Sequence, residues 1–153
     1  MDEKFMKSAI KEAEKARSKD EVPIGAVLVL DGKIIARAHN LVEKTQQATA
    51  HAEILCINKA SKKLKSWRLD GAELYITVEP CAMCAGAIVN ARIKKVYFGA
   101  YENKSGCAIS KYRVLSDCGL NHSTEFEGGI EWETCANLLK NYFKQKRLRK
   151  SLD

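Results

Sequence analysis

The sequence predicts an α/β protein in which a mixed five-stranded sheet lies between two helical layers, a three-layer α/β/α sandwich. Three observations carry that expectation. Two β-rich runs separated by Asp31-Gly32 read as an antiparallel hairpin. A second pair of β-runs brackets a helix-length segment opened by Pro80, and strand-helix-strand units of this kind are almost always parallel crossovers. Both ends of the chain carry apolar residues at helical spacing, which supplies helices to cover the sheet.

The elements follow in order. Phe5, Met6, Ala9, Ile10, Ala13 and Ala16 fall on one face of a helix over residues 2–18, and Pro23 marks its exit. Residues 24–30 form an apolar strand, Asp31-Gly32 the turn and residues 33–39 the return. Thr49 is placed to cap a helix that carries His51, Glu53, Ile54, Leu55 and Ile57 and ends near Lys65, so His51 is expected in its first turn. Residues 74–78 make a short strand. Pro80 then opens a helix running through Arg92, at the helical position that tolerates proline, with Cys81 and Cys84 in its first turn. Residues 95–100 return as a strand. Beyond a polar loop at 101–106, a short helix is expected near 109–115 and a weak strand near 124–127. Trp132, Cys135, Leu138, Leu139, Tyr142 and Phe143 place an apolar stripe on a basic terminal helix at about 130–150.

At 153 residues the chain is expected to be one domain, 1–153. Two prolines, nine glycines and the absence of any repeat or low-complexity tract leave no sign of a linker. Met1-Asp2-Glu3-Lys4 is charged and no long apolar run follows, so neither a secretory signal nor a membrane span is expected, and the fitting address is the cytoplasm. Six cysteines could pair as disulfides only in an oxidising compartment, which this start does not announce. Cys56 and Cys135 lie in apolar helical patterns and read as small buried hydrophobes, whereas Cys107 and Cys118 fit packing and exposure equally. Lys plus Arg number 26 against 19 Asp plus Glu, a net charge of +7. Lys140, Lys144, Lys146, Arg147, Arg149 and Lys150 crowd the terminal helix, and Lys59, Lys62, Lys63, Lys65 and Arg68 form a second cluster. Such runs are usually solvated helix faces, and they also permit association with a polyanion through its phosphates.

The chemistry concentrates in His51-Ala52-Glu53 and Pro80-Cys81-Ala82-Met83-Cys84. One imidazole and two thiolates suit Zn²⁺, and a set of three protein ligands leaves the fourth tetrahedral position to water, which separates a catalytic zinc from a structural one. Cysteines at i and i+3 share a helix face, and a helix N-terminus favours the thiolates that metal binding requires. Glu53 lies one helical step off the His51 face, so it serves better as the base for an activated water than as a fourth ligand. A closed, fold-stabilising site would want that fourth ligand. His39 and His122 have no ligand-like spacing to a partner, and both are assigned as non-ligands. The spacing H-x-E with P-C-x-x-C is the signature of zinc nucleobase deaminases.

Nearly the whole chain resembles bacterial tRNA-specific adenosine deaminase. Glu21-Val22-Pro23-Ile24-Gly25-Ala26, His51-Ala52-Glu53, Glu79-Pro80-Cys81-Ala82-Met83-Cys84-Ala85-Gly86-Ala87 and Phe98-Gly99-Ala100 carry the resemblance. It implies a cytidine deaminase-like fold with strand order 2-1-3-4-5, one Zn²⁺ per subunit, no organic cofactor, a homodimer, and a tRNA anticodon stem-loop as partner. The implied reaction is hydrolytic deamination of adenosine at the wobble position (position 34) to inosine, with His51, Cys81 and Cys84 on zinc and Glu53 shuttling protons from water to adenine N1 and to the ammonia that leaves C6. Asn40 matches the family asparagine that hydrogen-bonds the nucleoside; alone it would be read as a turn residue. Ile24, Ala52 and Val78 correspond to walls of the base pocket, positions that core packing explains equally well.

Residues 99–106 correspond to the segment that embraces the anticodon loop, with Glu102 where the family usually has aspartate and Lys104 at a phosphate. Asn121 and the pair Tyr142-Phe143 correspond to RNA-facing groups, and Lys144, Lys146 and Arg147 are candidate phosphate contacts. The small run Ala85-Gly86-Ala87 suits a close subunit contact or packing within the chain. The metal motif alone also permits a deaminase of a free base or nucleoside, guanine or cytosine. The basic terminal helix and the Lys104-Ser105-Gly106 loop favour RNA, and a noncatalytic RNA-binding subunit would not need Glu53.

Overall fold

The computed structural model describes residues 1–116 and 118–152. Helix α1 (Glu3–Ser18) begins where the Asp2 carboxylate accepts the Lys4 amide at 3.0 Å, and it buries the predicted face of Phe5, Met6, Ala9, Ile10, Ala13 and Ala16. Strands β1 (Gly25–Leu30) and β2 (Lys33–His39) pair antiparallel across Asp31-Gly32. Both turn residues have positive φ, 51° and 74°, the twist that a two-residue hairpin requires. The chain continues through α2 (Val42–Thr45), α3 (Ala52–Leu64), β3 (Glu73–Val78), α4 (Ala82–Asn90), β4 (Lys95–Ala100), β5 (Glu125–Glu127) and α5 (Trp132–Leu152).

The sheet order is β2-β1-β3-β4-β5, with β1 antiparallel to both neighbours and β3, β4 and β5 mutually parallel. This is the expected mixed five-stranded sheet, in the strand order that the family resemblance implies. Strand alternation sorts its side chains into two cores. Ala26, Leu28, Leu74, Ile76, Val96 and Phe98 pack with α3 and α4 on one face. Val27, Val29, Tyr75 and Tyr97 pack with α1 and α5 on the other, where the rings of Tyr75 and Tyr97 stack at 4.7 Å. Burial on both faces explains why β1, β3 and β4 read as nearly continuous apolar runs.

Several boundaries differ from the sequence expectation. His51 is the N-cap of α3, with extended backbone, instead of a first-turn residue, and Thr49 does not cap the helix. Likewise α4 starts after Cys81, which is its N-cap, so Cys84 alone sits in the first turn; the helix ends at Asn90, and Arg92 beyond it has φ 64°. No helix forms at 109–115. Turns occupy 107–110, and the amides of Lys111 and Tyr112 both return to the Gly106 carbonyl, at 2.9 and 3.2 Å, so no helical ladder propagates. Helix α2 was not foreseen. Its amides at Glu43 and Lys44 donate to the carboxylate of Glu21, at 3.0 and 2.7 Å, and Glu21 is fully buried.

All six cysteines are free; Cys56, Cys107 and Cys135 are buried and Cys118 is exposed. Among the described residues no helix is long and apolar enough to cross a membrane.

Candidate metal centre and active site

The C-terminal ends of the parallel strands β3 and β4 meet the N-termini of α3 and α4 at one end of the sheet. The two cap residues and one first-turn residue converge there. His51 Nδ1 stands 3.7 Å from Cys81 Sγ and 3.5 Å from Cys84 Sγ, and the three donor atoms lie within 4.8 Å of one another. A tetrahedral ion with metal–nitrogen bonds of about 2.0 Å and metal–sulfur bonds of about 2.3 Å separates its nitrogen and sulfur ligands by roughly 3.5 Å. The two observed nitrogen–sulfur separations match such an ion. His39 and His122 are engaged elsewhere. His39 pairs with Glu12 and Lys19, and His122 meets the carbonyl of Ile93.

The electrostatics fit the same use. A hydrogen bond from Cys84 holds the Cys81 thiol down to about 4 against the opposing effect of burial, with His51 reinforcing the shift. Cys84 is pushed up because it donates to that thiolate and is itself buried. The sulfur of Cys81 raises His51, again against burial. Metal binding requires thiolates, so a divalent ion bound here would release the thiol proton that the two cysteines share.

Glu53, in the first turn of α3, is 3% exposed, and burial pushes its carboxyl up. Its Oε1 has no hydrogen-bond partner. Among the described residues the other buried side-chain oxygen left without a partner is Asn40 Oδ1. Asn40 follows β2, and its amide donates to the carbonyl of Ile24, a wall of the cavity described next. Unpartnered buried oxygens cost free energy, so two of them at one end of the sheet mark groups held for something the chain itself does not supply.

A cavity of about 350 Å³ opens over His51, Glu53 and Cys81. Val22, Ile24 and Val78 form apolar walls, Tyr101, Glu102 and Ser105 come from the loop after β4, and Ala136, Leu139, Lys140 and Phe143 come from α5. A small apolar chamber with a few convergent polar groups is the usual form of a ligand site. The structure thus unites His51, Cys81, Cys84, Glu53, Ile24, Val78 and Glu102, all singled out from sequence.

Other candidates lie apart. Ala52 is fully buried in the core under α3 and does not line the cavity. Lys104 is exposed, and its amide donates to Glu102 Oε1 at 3.0 Å. Asn121 is exposed beside His122, whose contact with Ile93 places this stretch at the N-terminal end of β4, opposite the cavity. Lys144, Lys146 and Arg147 are exposed on α5 beyond Phe143, with the Lys146 ammonium 5.6 Å from the ring centre of Tyr142. Tyr142 and Phe143 part company: Tyr142 is buried and donates to the Asp20 carbonyl, whereas Phe143 faces the cavity.

Sequence reasoning missed Glu79 and passed over Lys140 as a cavity residue. The spacing of Ala136, Leu139, Lys140 and Phe143, at i, i+3, i+4 and i+7, is the signal that could have found the α5 stripe. Glu79 carried no such signal beyond its place before Pro80-Cys81.

The fold and the His/Cys/Cys cluster with its buried glutamate define a deaminase. The model of the MafB19-like deaminase family matches residues 1–147. A tRNA-specific adenosine deaminase of Bacillus subtilis (strain 168) is 52% identical over 149 residues, spanning 97% of this chain and 92% of its own. A solved structure from work on A-to-I editing by tRNA:A34 deaminases superposes with TM-score 0.86 at 46% identity, covering 89% of this chain and 99% of the other. A guanine deaminase structure from Bacillus subtilis aligns with TM-score 0.64 at 44% identity over 66% of each chain. The chain belongs to the family of tRNA-specific adenosine deaminases.

Proposed function

We propose that this protein deaminates the wobble adenosine, position 34, of a tRNA anticodon to inosine, and that it does so with one zinc ion per chain on His51, Cys81 and Cys84. The observation that carries this reading is the buried Glu53 carboxylate, with its Oε1 left without a hydrogen-bond partner, beside three donor atoms at metal-ligand spacing in the wall of a nucleoside-sized cavity. Zinc held there supplies Lewis acidity that makes water a nucleophile at neutral pH. Glu53 takes a proton from the attacking water and passes it to adenine N1 as the oxygen adds at C6. It then moves the second proton to the exocyclic amine. The C6–N6 bond breaks, ammonia leaves, and the carbonyl of inosine remains.

The other residues bind and orient. Asn40 Oδ1 accepts from the nucleoside, Ile24 and Val78 hold the base, and Ala52 sets the helix turn between His51 and Glu53. Glu102 and Lys104 contact the loop backbone, while Lys144, Lys146 and Arg147 meet phosphates along α5. Asn121 serves the RNA only at a distance from this cavity. A homodimer in the cytoplasm completes the reading: Ala85, Ile88 and Val89 are consumed by the chain's own core, while a Cβ at Gly86 would meet open space, leaving that point of α4 free for a second subunit. No organic cofactor is required.

The free-base alternative is favoured only by the partial likeness to guanine deaminase. Initial rates of ammonia release on an anticodon stem-loop, free guanine, cytosine and adenosine separate the two. We expect the stem-loop to be turned over fastest; faster turnover of guanine would overturn the proposal.

A further inference from the structure

We propose that Glu79 is a positioning residue for RNA, fixing the loop of residues 101–110 at the mouth of the cavity and thereby setting substrate affinity. The inference rests on the tRNA reading above. Glu79 follows β3 directly, stands two residues before Cys81 and is 2% exposed. Its Oε1 accepts the amide of Glu102 at 3.1 Å and the hydroxyl of Ser110. Its Oε2 accepts the amides of Ala108, Ile109 and Ser110 at 3.1, 2.9 and 2.9 Å. Both ends of the loop are therefore tied to one carboxylate. With its lone pairs so occupied, Glu79 has nothing left to offer a reacting base, although it borders the cavity.

Gly106 gives independent support. A Cβ there would overlap the Glu79 carboxylate and the Glu102 carbonyl, so the loop approaches the anchor more closely than any side chain permits. At the first tether and just after it the loop presents Tyr101, Glu102 and Ser105 to the cavity and Lys104 to solvent. Pinning them in advance removes the cost of ordering them when RNA arrives, which reads as affinity.

Two variants test this. Glu79→Gln keeps the shape but replaces one acceptor oxygen with a donor that faces backbone N–H groups. Gly106→Ala leaves the carboxylate intact and lifts the loop off it. For each we would measure metal per chain, hydrogen exchange at Glu102, Ala108, Ile109 and Ser110, stem-loop Kd, and kcat and KM for inosine formation. The expected result is faster exchange confined to those amides, unchanged metal content, and Kd and KM raised at least about tenfold while kcat stays within a few-fold of wild type.

Unaltered Kd and KM with faster exchange would overturn the proposal. So would a fall in kcat with KM unchanged and metal lost, which would place Glu79 in the service of Cys81. If Glu79→Gln fails to fold, Gly106→Ala decides by the same criteria. Because affinity is read directly, wild type that binds the stem-loop but forms no inosine counts against the proposed reaction and leaves this inference to the binding data.

Discussion

Replacing Glu53 with glutamine is expected to destroy activity and at the same time stabilise the metal-free protein. The rate should fall at least about 10²-fold and up to roughly 10⁴-fold, the range for removing a general acid–base group. Stability moves the other way. Glu53 is 3% exposed with one carboxylate oxygen unpartnered, and burial holds its charged form at a disadvantage. An unpaired neutral amide in the same place costs less than an unpaired charge, by on the order of 1 kcal/mol. At this chain length that difference raises Tm by about 2–4 °C. The assay pairs inosine formation on a stem-loop with thermal denaturation in chelator. A variant that keeps more than a few per cent of wild-type turnover would refute the proton-shuttle role. A Tm lowered by several degrees would refute the claim that burial of this carboxylate, with one oxygen unpartnered, costs stability.

The remaining expectations are briefer. Cys84→Ala should fold around its smaller core residue but lose most of its zinc by metal analysis; full zinc content would show the ligand set to be wrong. Neutralising Lys144, Lys146 and Arg147 together should weaken stem-loop binding and flatten its log–log salt dependence by up to about 0.7 per lost single-strand phosphate contact, and an unchanged slope would return these residues to mere solvation. Glu12 is 5% exposed and is held below the ordinary carboxylate range, where hydrogen bonds from Lys15 and His39 outweigh the opposing effect of burial. Its folded value is depressed, so its stabilisation is present above the unfolded value and is lost as pH falls through the folded one. Wild type should exceed Glu12→Gln by on the order of 1 kcal/mol above about pH 5, with the gap closing in acid; a gap independent of pH would contradict the pairing.

The candidate metal cluster was legible because such chemistry dictates residue types at fixed separations: His51, Glu53, Cys81 and Cys84 could be paired across 30 residues without knowing the fold. The hairpin and the parallel pair β3–β4 were legible because turn chemistry and apolar runs are local. Failures cluster where a distant buried carboxylate captures backbone amides. Glu21 builds α2 from 22 residues away, and Glu79 captures the amides of Ala108, Ile109 and Ser110 into turns where a short helix near 109–115 was expected to begin. In sequence, nothing distinguishes such a glutamate from an exposed one. The same limit split Tyr142 from Phe143: helical periodicity put both on one stripe, and only the position of α1 decides that one meets Asp20 and the other the cavity. The helix starts came later than expected, since His51 caps α3 two residues beyond Thr49, and α4 begins after Cys81 instead of at Pro80, both cap residues taking extended backbone.

The most direct test of the central claim is nucleotide-resolved. Unmodified tRNA carrying adenosine at the wobble position is incubated with the zinc-loaded protein and sequenced after reverse transcription, in which inosine reads as guanosine. The account expects conversion at that one nucleotide, no conversion of adenosines held in the stems, and no conversion by Glu53→Gln. Retention of adenosine at the wobble position while free guanine or cytosine is deaminated would contradict it.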